Sequence, residues 1–360
     1  MVGFFSKTVL VAPLDWGLGH ATRCIPIIKT LIDLNHSVII ASSSSALTLL
    51  QNEFPDLLFE KLSEYNPTYN SSGQFTLSML QQSPKLLKTI FYEHRQLQAL
   101  IEKHDIDLII SDNRYGIYSK KVPSIFITHQ INLQLGKNLS LFEKPVNLIN
   151  HYFIGKHKEC WVPDVRGAHK ISGVLSSNGI RGKRFIGPLS RFTKNGDLPD
   201  KKYHLIVLLS GQEPQRTELE SLILNEVKNF PFSCLLIRGS FTKYSEKNTN
   251  NIEIRDFVSA KELQHLLLSS EIILSRAGYS SIMDFIRLGK RAILIPTPGQ
   301  TEQEYLAKHL KSLGYFYSVE QNKFSLKVAI DQCKKFQPPV SDQRESLLKE
   351  EIERVIDLYC

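Results

Sequence analysis

Three stretches of this chain put glycine, histidine, serine and carboxylate side chains where an apolar run gives way to a helical pattern. The first is Asp15-Trp16-Gly17-Leu18-Gly19-His20. Glycines at such a switch let backbone N–H groups approach a phosphate or a sugar, and a helix N-terminus adds a dipole that favours an anion. His20 follows Gly17-Leu18-Gly19 directly, at or near the helix start, where an imidazole can act as a general base. A lone histidine among eleven is more often structural, so the position and not the residue type carries this reading. The dinucleotide fingerprint is absent: only G-x-G is present, and serines follow the second strand where an acidic residue would stand.

The second stretch, Leu274-Ser275-Arg276-Ala277-Gly278-Tyr279-Ser280-Ser281-Ile282-Met283-Asp284, again leaves a strand through a glycine turn. The first N–H groups of the helix that follows suit a diphosphate, and Asp284 one turn in can accept two hydrogen bonds from a ribose diol. A capped helix start, with a serine as cap and Asp284 on the first turn, explains the spacing equally well. The third stretch, Pro296 to Tyr305, gathers Gln300, Glu302, Gln303 and Glu304 at a helix start, where they could read sugar hydroxyls; taken alone it reads as an ordinary capped helix.

Short unbroken apolar runs must position these residues. Thr8–Pro13, His36–Ala41, Asp107–Ser111, Ser124–Thr128, Cys160–Val162 and Arg184–Ile186 have the pattern of parallel strands buried on both faces, and Cys24–Leu34 has helical spacing. The alternation restarts with Tyr203–Leu209, a turn at Ser210–Pro214 and a helix at Thr217–Val227, then strands at Ser233–Arg238, Ile252–Asp256, Ile272–Leu274 and Ala292–Ile295. Strands alternating with helices mean βα units and doubly wound sheets, whose ligands bind beyond the carboxyl ends of the strands. The glycine- and proline-bearing stretch Gly187–Asp200 is the expected linker, dividing the chain into an acceptor-side domain (1–187), a nucleotide-sugar-binding domain (188–340) and a charged amphipathic helix (341–360, written over Asp342–Tyr359) that packs back across the domains. Ser42–Ser45 is expected to cap the helix that follows it.

Length and composition fit this division, because a single core stops growing at roughly 250–300 residues and this chain has 360. No run of about 18 apolar residues occurs, and Met1 to Ala12 lacks the charged start and cleavage site of an export signal, so a cytoplasmic protein is expected. Five scattered Cys with no CxxC pair argue against a zinc site or a disulfide framework. Residues 1–187 carry 20 Lys+Arg against 14 Asp+Glu and the remainder 24 against 22, a surplus that reads as a solvated surface. With no RNP motif, zinc finger or dense Lys/Arg tract, no nucleic-acid partner is expected. Asp105-Ile106-Asp107 is formally a DxD, but it straddles a helix end and a strand start and is not taken as a metal site.

Together the three stretches resemble the GT-B glycosyltransferases, in particular the MurG-like branch with a family 28 C-terminal domain. The resemblance covers nearly the whole chain and is strongest over Arg255–Leu313, where Ser275-Arg276-Ala277-Gly278, Asp284, Leu288-Gly289-Lys290, Ile295-Pro296 and Glu302-Gln303 fall in register. It implies two Rossmann-like domains facing across a cleft, and direct displacement at the anomeric carbon of a nucleotide-sugar, most simply a UDP-sugar, without a metal or other cofactor. His20 would be the catalytic base, with Gly17, Gly19, Asp112, His129 and Gln130 on the acceptor side. The resemblance assigns Asp284 to the ribose, where the family has a glutamate, and Arg276, Ala277, Gly278, Tyr279, Ser280 and Ser281 to the diphosphate turn. Phe257 and Val258 would read uracil, Ser210, Gly211 and Gln212 form the second glycine loop, and Arg191, in Gly187-Pro188-Leu189-Ser190-Arg191, would approach the nucleotide. Gln303 and Glu304 would hold the hexose, with Glu304 departing from the family's paired glutamines.

Gly17-Leu18-Gly19-His20-Ala21-Thr22-Arg23-Cys24 is also similar to the UDP-sugar hydrolases of nonulosonic acid biosynthesis, which activate water. The long stretches Asn66–Ile101 and Asn138–Lys158 suit an acceptor better, so transfer to a cell-envelope glycan or lipid-linked hydroxyl is expected. An epimerase of this fold needs further carboxylates, for which only Asp15 and Asp112 offer themselves, and His20 beside a donor site speaks against a mere binding protein. Pro84–His104 and Asn138–Lys158 mix apolar and basic residues and could lie on anionic lipid at the inner face of the plasma membrane; the preferred expectation is that they face the core.

Overall fold

The computed structural model describes residues 6–67, 78, 81–177, 179–193, 199–228, 230–239, 251–339 and 346–360. Gly196 of the expected linker and positions 342–345 of the expected closing helix lie outside them, as does part of the stretch from 68 to 80. Described residues up to Leu189 and from Ser346 onward form one compact unit, and Ser190 to Pro339 form a second.

The first unit opens with β1 (Thr8–Pro13), α1 (Leu18–Asp33), β2 (Ser37–Ser42), α2 (Ser44–Glu53) and β3 (Leu58–Lys61). It continues with α3 (Ser83–His104), β4 (Leu108–Asp112), β5 (Ser124–Ile127), α4 (Glu143–Ile154), β6 (Glu159–Val162) and β7 (Lys183–Phe185). Val9 to Ala12 and Leu108 to Ile110 are fully buried, as strands covered by helices on both faces must be. The strands form one parallel sheet in the order β3-β2-β1-β4-β5-β6-β7. β1 and β4 run in register up to Pro13 beside Asp112, so the order reverses between these two strands and their carboxyl ends stand side by side.

The second unit repeats the plan with β8 (Tyr203–Leu208), α5 (Gln215–Val227), β9 (Cys234–Ile237), β10 (Ile252–Arg255), α6 (Ala260–Leu268) and β11 (Ser270–Ser275). α7 (Tyr279–Leu288), β12 (Arg291–Leu294), α8 (Thr301–Ser312), β13 (Tyr317–Ser318) and α9 (Leu326–Cys333) follow. Its parallel order is β10-β9-β8-β11-β12-β13, reversing between β8 and β11. One apolar cluster runs from Leu205 and Val207 through Leu274 and Ile293 to Ala329 and Ile330. The closing helix, α10 (Ser346–Tyr359), belongs to the first unit: Ile352, Val355 and Ile356 are buried, Arg184 Nε donates to Glu351 Oε2 at 2.7 Å, and Arg354 Nη1 donates to Glu159 Oε1 at 2.9 Å.

Two expectations about surface and caps change here. Leu87 and Phe91 of α3, and Leu141, Phe142, Leu148, Ile149 and Tyr152 in and before α4, are exposed, with Leu141 at 90% and Leu148 at 70%. α3 instead turns Thr89, Glu93, Leu97 and Leu100 inward, because its buried stripe is drawn toward a polar cluster described below. Ser43 stands at the N-cap position of α2 but makes no side-chain cap; its hydroxyl donates to Asp15 Oδ2 at 2.8 Å, while Ser42 Oγ donates to Pro13 O at 2.9 Å. The serines therefore tie the end of β2 to the loop after β1. In the DxD sequence, Asp105 ends α3 with its backbone in the left-handed region, and Asp107 Oδ2 accepts from Thr8 N at 2.8 Å, which ties that carboxylate to the start of β1. The five cysteines are free thiols, four of them buried.

Candidate active site

In the first unit, the β1–α1 loop turns through Gly17, whose φ of 76° lies in the left-handed region, and delivers His20 in the first turn of α1. Asp112, the last residue of β4, is fully buried across the point of strand-order reversal. His20 Nδ1 lies 3.2 Å from Asp112 Oδ1. Arg23, three residues along the same face of α1, donates through Nε to Asp112 Oδ2 at 2.7 Å and through Nη2 to Oδ1. Its Nη2 also lies 2.9 Å from His20 Nδ1, and its Nη1 lies 3.3 Å from His129 Nδ1. The His20 side chain keeps 16% exposure, so a ligand can reach the ring.

The charges explain one another. Burial pushes the Asp112 carboxyl up, but Arg23 and His20 outweigh it and hold the group well below the usual carboxylate range. Burial, then Arg23, hold the His20 imidazole below its ordinary 6.5, with Asp112 opposing them. His20 is accordingly neutral at pH 7. The tautomer that turns Nδ1–H toward Asp112 Oδ1 leaves a lone pair on Nε2, which is the arrangement a general base needs.

A second buried polar cluster holds this loop in place. Arg114 and Glu93 are both fully buried, and Arg114 Nη1 donates to Glu93 Oε1. Arg114 also donates to Pro13 O at 2.8 Å, Ser63 O at 3.1 Å and Ser43 Oγ at 2.7 Å, and Tyr65 OH donates to Glu93 Oε2 at 2.6 Å. Asp15 Oδ1 lies 3.7 Å from Arg114 Nη2. A Cβ on Gly116 would run into Ile90 O and the Glu93 side chain, so glycine there is what lets α3 bring Glu93 this close. Loops after β1, β2, β3 and β4 thus converge on one guanidinium.

In the second unit, the segments after β8 and β11 flank the other reversal point. Ser210, Gly211 and Gln212 form an exposed loop after β8, with Gly211 at φ 102°. Gly278 is the N-cap of α7 and makes no side-chain cap. Its φ of −75° is ordinary and nothing stands within 4 Å of a Cβ built on it, so neither backbone nor packing requires glycine there. Asp284 is buried: Ser190 Oγ donates to its Oδ1 at 2.6 Å and Arg191 Nε lies 3.3 Å from its Oδ2. Burial pushes this carboxyl up, with Arg191 and Ser190 opposing. Phe257 is 45% exposed beside buried Val258, after β10.

Several expected ligands face the protein. Arg276 is buried, donating to Gln321 Oε1 at 2.7 Å, Pro296 O at 3.3 Å and Gln215 O at 2.6 Å, and burial pushes it down to about 10. It clamps three loops and is not available to a phosphate. Ala277 and Tyr279 are buried, leaving main chain for any contact. Gln303 Oε1 accepts from Thr297 N and Glu304 Oε1 from Gly299 N, each at 2.9 Å, so both brace the turn that leads into α8. Gln130 N donates to Thr128 Oγ1 at 3.0 Å and its carbonyl accepts from Asn150 Nδ2 at 3.1 Å, fixing the segment that carries His129. Arg23, Arg114 and Glu93 were not singled out from sequence; for Arg23 the signal was there, three residues after His20 on one helix face.

Comparison with known proteins agrees with this architecture. Residues 216–357 match the glycosyltransferase family 28 C-terminal domain. The chain is 24% identical to a UDP-N-acetylglucosamine–N-acetylmuramyl-(pentapeptide) pyrophosphoryl-undecaprenol N-acetylglucosamine transferase of Clostridium tetani, over 94% of each chain. It is 23% identical to an uncharacterized glycosyltransferase of Methanosarcina acetivorans, over 83% of this chain and 82% of the other. The crystal structure of the glycotransferase of kitacinnamycin superposes with a TM-score of 0.67 at 16% identity over 98% of each chain. That of the spinosyn rhamnosyltransferase complexed with thymidine diphosphate gives 0.57 at 12%, over 98% of this chain and 92% of the other.

Proposed function

For this chain, a GT-B glycosyltransferase with a family 28 C-terminal domain, we propose that the donor is a UDP-hexose or UDP-N-acetylhexosamine and the acceptor a hydroxyl of a cell-envelope glycan or lipid-linked sugar. The observation that carries the reading is His20, neutral and partly open, backed by the ionised Asp112 at the carboxyl edge of the first sheet. His20 Nε2 takes the acceptor hydroxyl proton; the freed oxygen pair forms a bond to the anomeric carbon as the bond to the diphosphate oxygen breaks and that pair leaves with the nucleotide. The start of α7 takes the developing charge on the diphosphate, the task a divalent cation performs in other transferases. Catalysis then proceeds without added metal.

Gly278 supports the donor half of the reading, because an open glycine at a helix start leaves main-chain groups approachable. Asp284 takes the ribose diol by exchanging Arg191, which then turns to the diphosphate. Calorimetry with UDP, TDP, GDP and ADP in EDTA tests this. UDP is expected to bind tightly; Asp284→Ala lowers the affinity at least about tenfold, the size of one lost charged hydrogen bond, and Gly278→Ala lowers it comparably by setting a methyl group in front of the main-chain groups at the start of α7. Gly278→Ala is expected to keep the wild-type melting temperature. Full UDP affinity in both variants would move the donor site elsewhere.

The exposed apolar side chains of α4, with Lys144 and with Lys156 4.2 Å over the Tyr152 ring, support peripheral contact with an anionic membrane. Among the described residues no helix is long and apolar enough to cross one. The protein is expected to float with phosphatidylglycerol vesicles and not with phosphatidylcholine vesicles, and Leu148→Glu/Ile149→Glu to abolish flotation. Unchanged flotation of the double variant would take this surface out of account.

A further inference from the structure

Arg23 has no role in the transfer reading above, yet it touches His20, Asp112 and His129 together. It is 2% exposed and holds both oxygens of Asp112, and each of its terminal nitrogens faces a histidine: Nη2 at 2.9 Å from His20 Nδ1, Nη1 at 3.3 Å from His129 Nδ1. We propose that Arg23 is the positioning residue of this site, fixing the Asp112 carboxylate with its guanidinium fork so that His20 is presented neutral, with Nδ1–H turned inward and Nε2 toward the acceptor. The inference rests on the reading of His20 as the base.

The geometry carries it in three steps. A carboxylate gripped on both oxygens by a planar fork cannot rotate, so the direction in which Asp112 Oδ1 accepts is fixed. Arg23 Nη2 directs a hydrogen to Asp112 Oδ1, the same oxygen that faces His20 Nδ1, so the inferred tautomer has Nδ1–H donating beside it to Oδ1, the form that leaves Nε2 basic. The groups that set the charge of His20, besides its burial, are Arg23 on its own helix, Asp112 on β4 and His129 after β5; Cys24 on the same helix reaches Asp112, its Sγ donating to Oδ2 at 3.5 Å. Arg23 is the only permanent cation among these three. It offsets Asp112, which by itself would make His20 an imidazolium unable to accept a proton.

Nitrogen-15 NMR of the histidine-labelled full chain tests this, with His20 assigned from the signal lost in His20→Gln. Wild type is expected to show Nδ1–H and a neutral ring at pH 7. In Arg23→Gln the ring titrates about one to three pH units higher, and the acid limb of kcat/KM moves up with it. Arg23→Lys keeps a cation beside Asp112 without the fork; the limb moves less than in Arg23→Gln, while kcat on the plateau falls about tenfold from lost orientation. If Arg23→Gln does not fold, Arg23→Lys decides alone. An Nε2–H tautomer in wild type, or variants with lowered melting temperature but an unmoved titration and pH profile, would overturn the proposal and leave Arg23 a structural brace. A His20→Gln enzyme with wild-type turnover would instead overturn the base reading, with the NMR result still judging Arg23.

Discussion

Replacing His20 by alanine is expected to lower kcat of sugar transfer by about 10²- to 10⁴-fold, the usual worth of a positioned general base, while UDP affinity stays within twofold. The separation follows from the fold. His20 belongs to the first unit, whereas the proposed donor groups Gly278 and Asp284 belong to the second. The truncation leaves no orphaned charge, because Asp112 keeps both bonds to Arg23, so the melting temperature is expected to hold. In wild type the imidazole titrates below its ordinary 6.5, since burial and Arg23 outweigh Asp112. Protonation removes the base, so activity is full at pH 7 and falls only as pH drops through that lowered value. Steady-state kinetics from pH 5 to 9, beside UDP calorimetry, reads both. Wild-type turnover in His20→Ala would remove the histidine from the chemistry, and loss of UDP binding would make it a donor ligand.

The second large effect is on stability. Glu93→Ala is expected to destabilise the first unit by about 3–5 kcal/mol, because it leaves the Arg114 guanidinium buried without its carboxylate. The remaining acidic group, Asp15, lies 3.7 Å away and already accepts from Ser43. At about 2–4 °C per kcal/mol for a unit of this size, the melting transition falls by roughly 6–20 °C. Arg114 joins the loops after β1, β2, β3 and β4, so the His20 loop loosens with it and kcat falls below the melting point as well. Glu93→Leu/Arg114→Met, which removes both charges, is expected to be milder than Glu93→Ala. Calorimetric melts decide; a loss under about 1 kcal/mol in Glu93→Ala would show that water or a neighbour relieves the orphaned charge.

The double α/β architecture was legible because buried parallel strands leave unbroken apolar runs: Thr8–Pro13 is a strand over those residues, and most other runs lie within one or two residues of their strands. β3 escaped because Leu58–Lys61 is a half-exposed edge strand with a charged end, and β13 because two residues carry no period. The glycine switches were legible for the same reason that makes them sites, since a strand that must turn sharply into a helix needs Gly17. The polar clusters were not. Glu93 and Arg114 lie 21 positions apart and Arg23 and Asp112 lie 89 apart, so only the folded sheet brings them together. Gln303, Glu304 and Arg276 show the converse. Their types suit a ligand, yet they face main-chain and side-chain groups of the protein itself.

One measurement bears most directly on transfer at the His20 site: release of UDP from a panel of UDP-hexoses and UDP-N-acetylhexosamines, in EDTA, with and without a bacterial lipid extract, for wild type and His20→Ala. Release is expected to require the extract, to leave no free sugar behind and to collapse in the variant. Free sugar formed in step with UDP in buffer alone would contradict transfer, making water the acceptor and the enzyme a UDP-sugar hydrolase of the same fold.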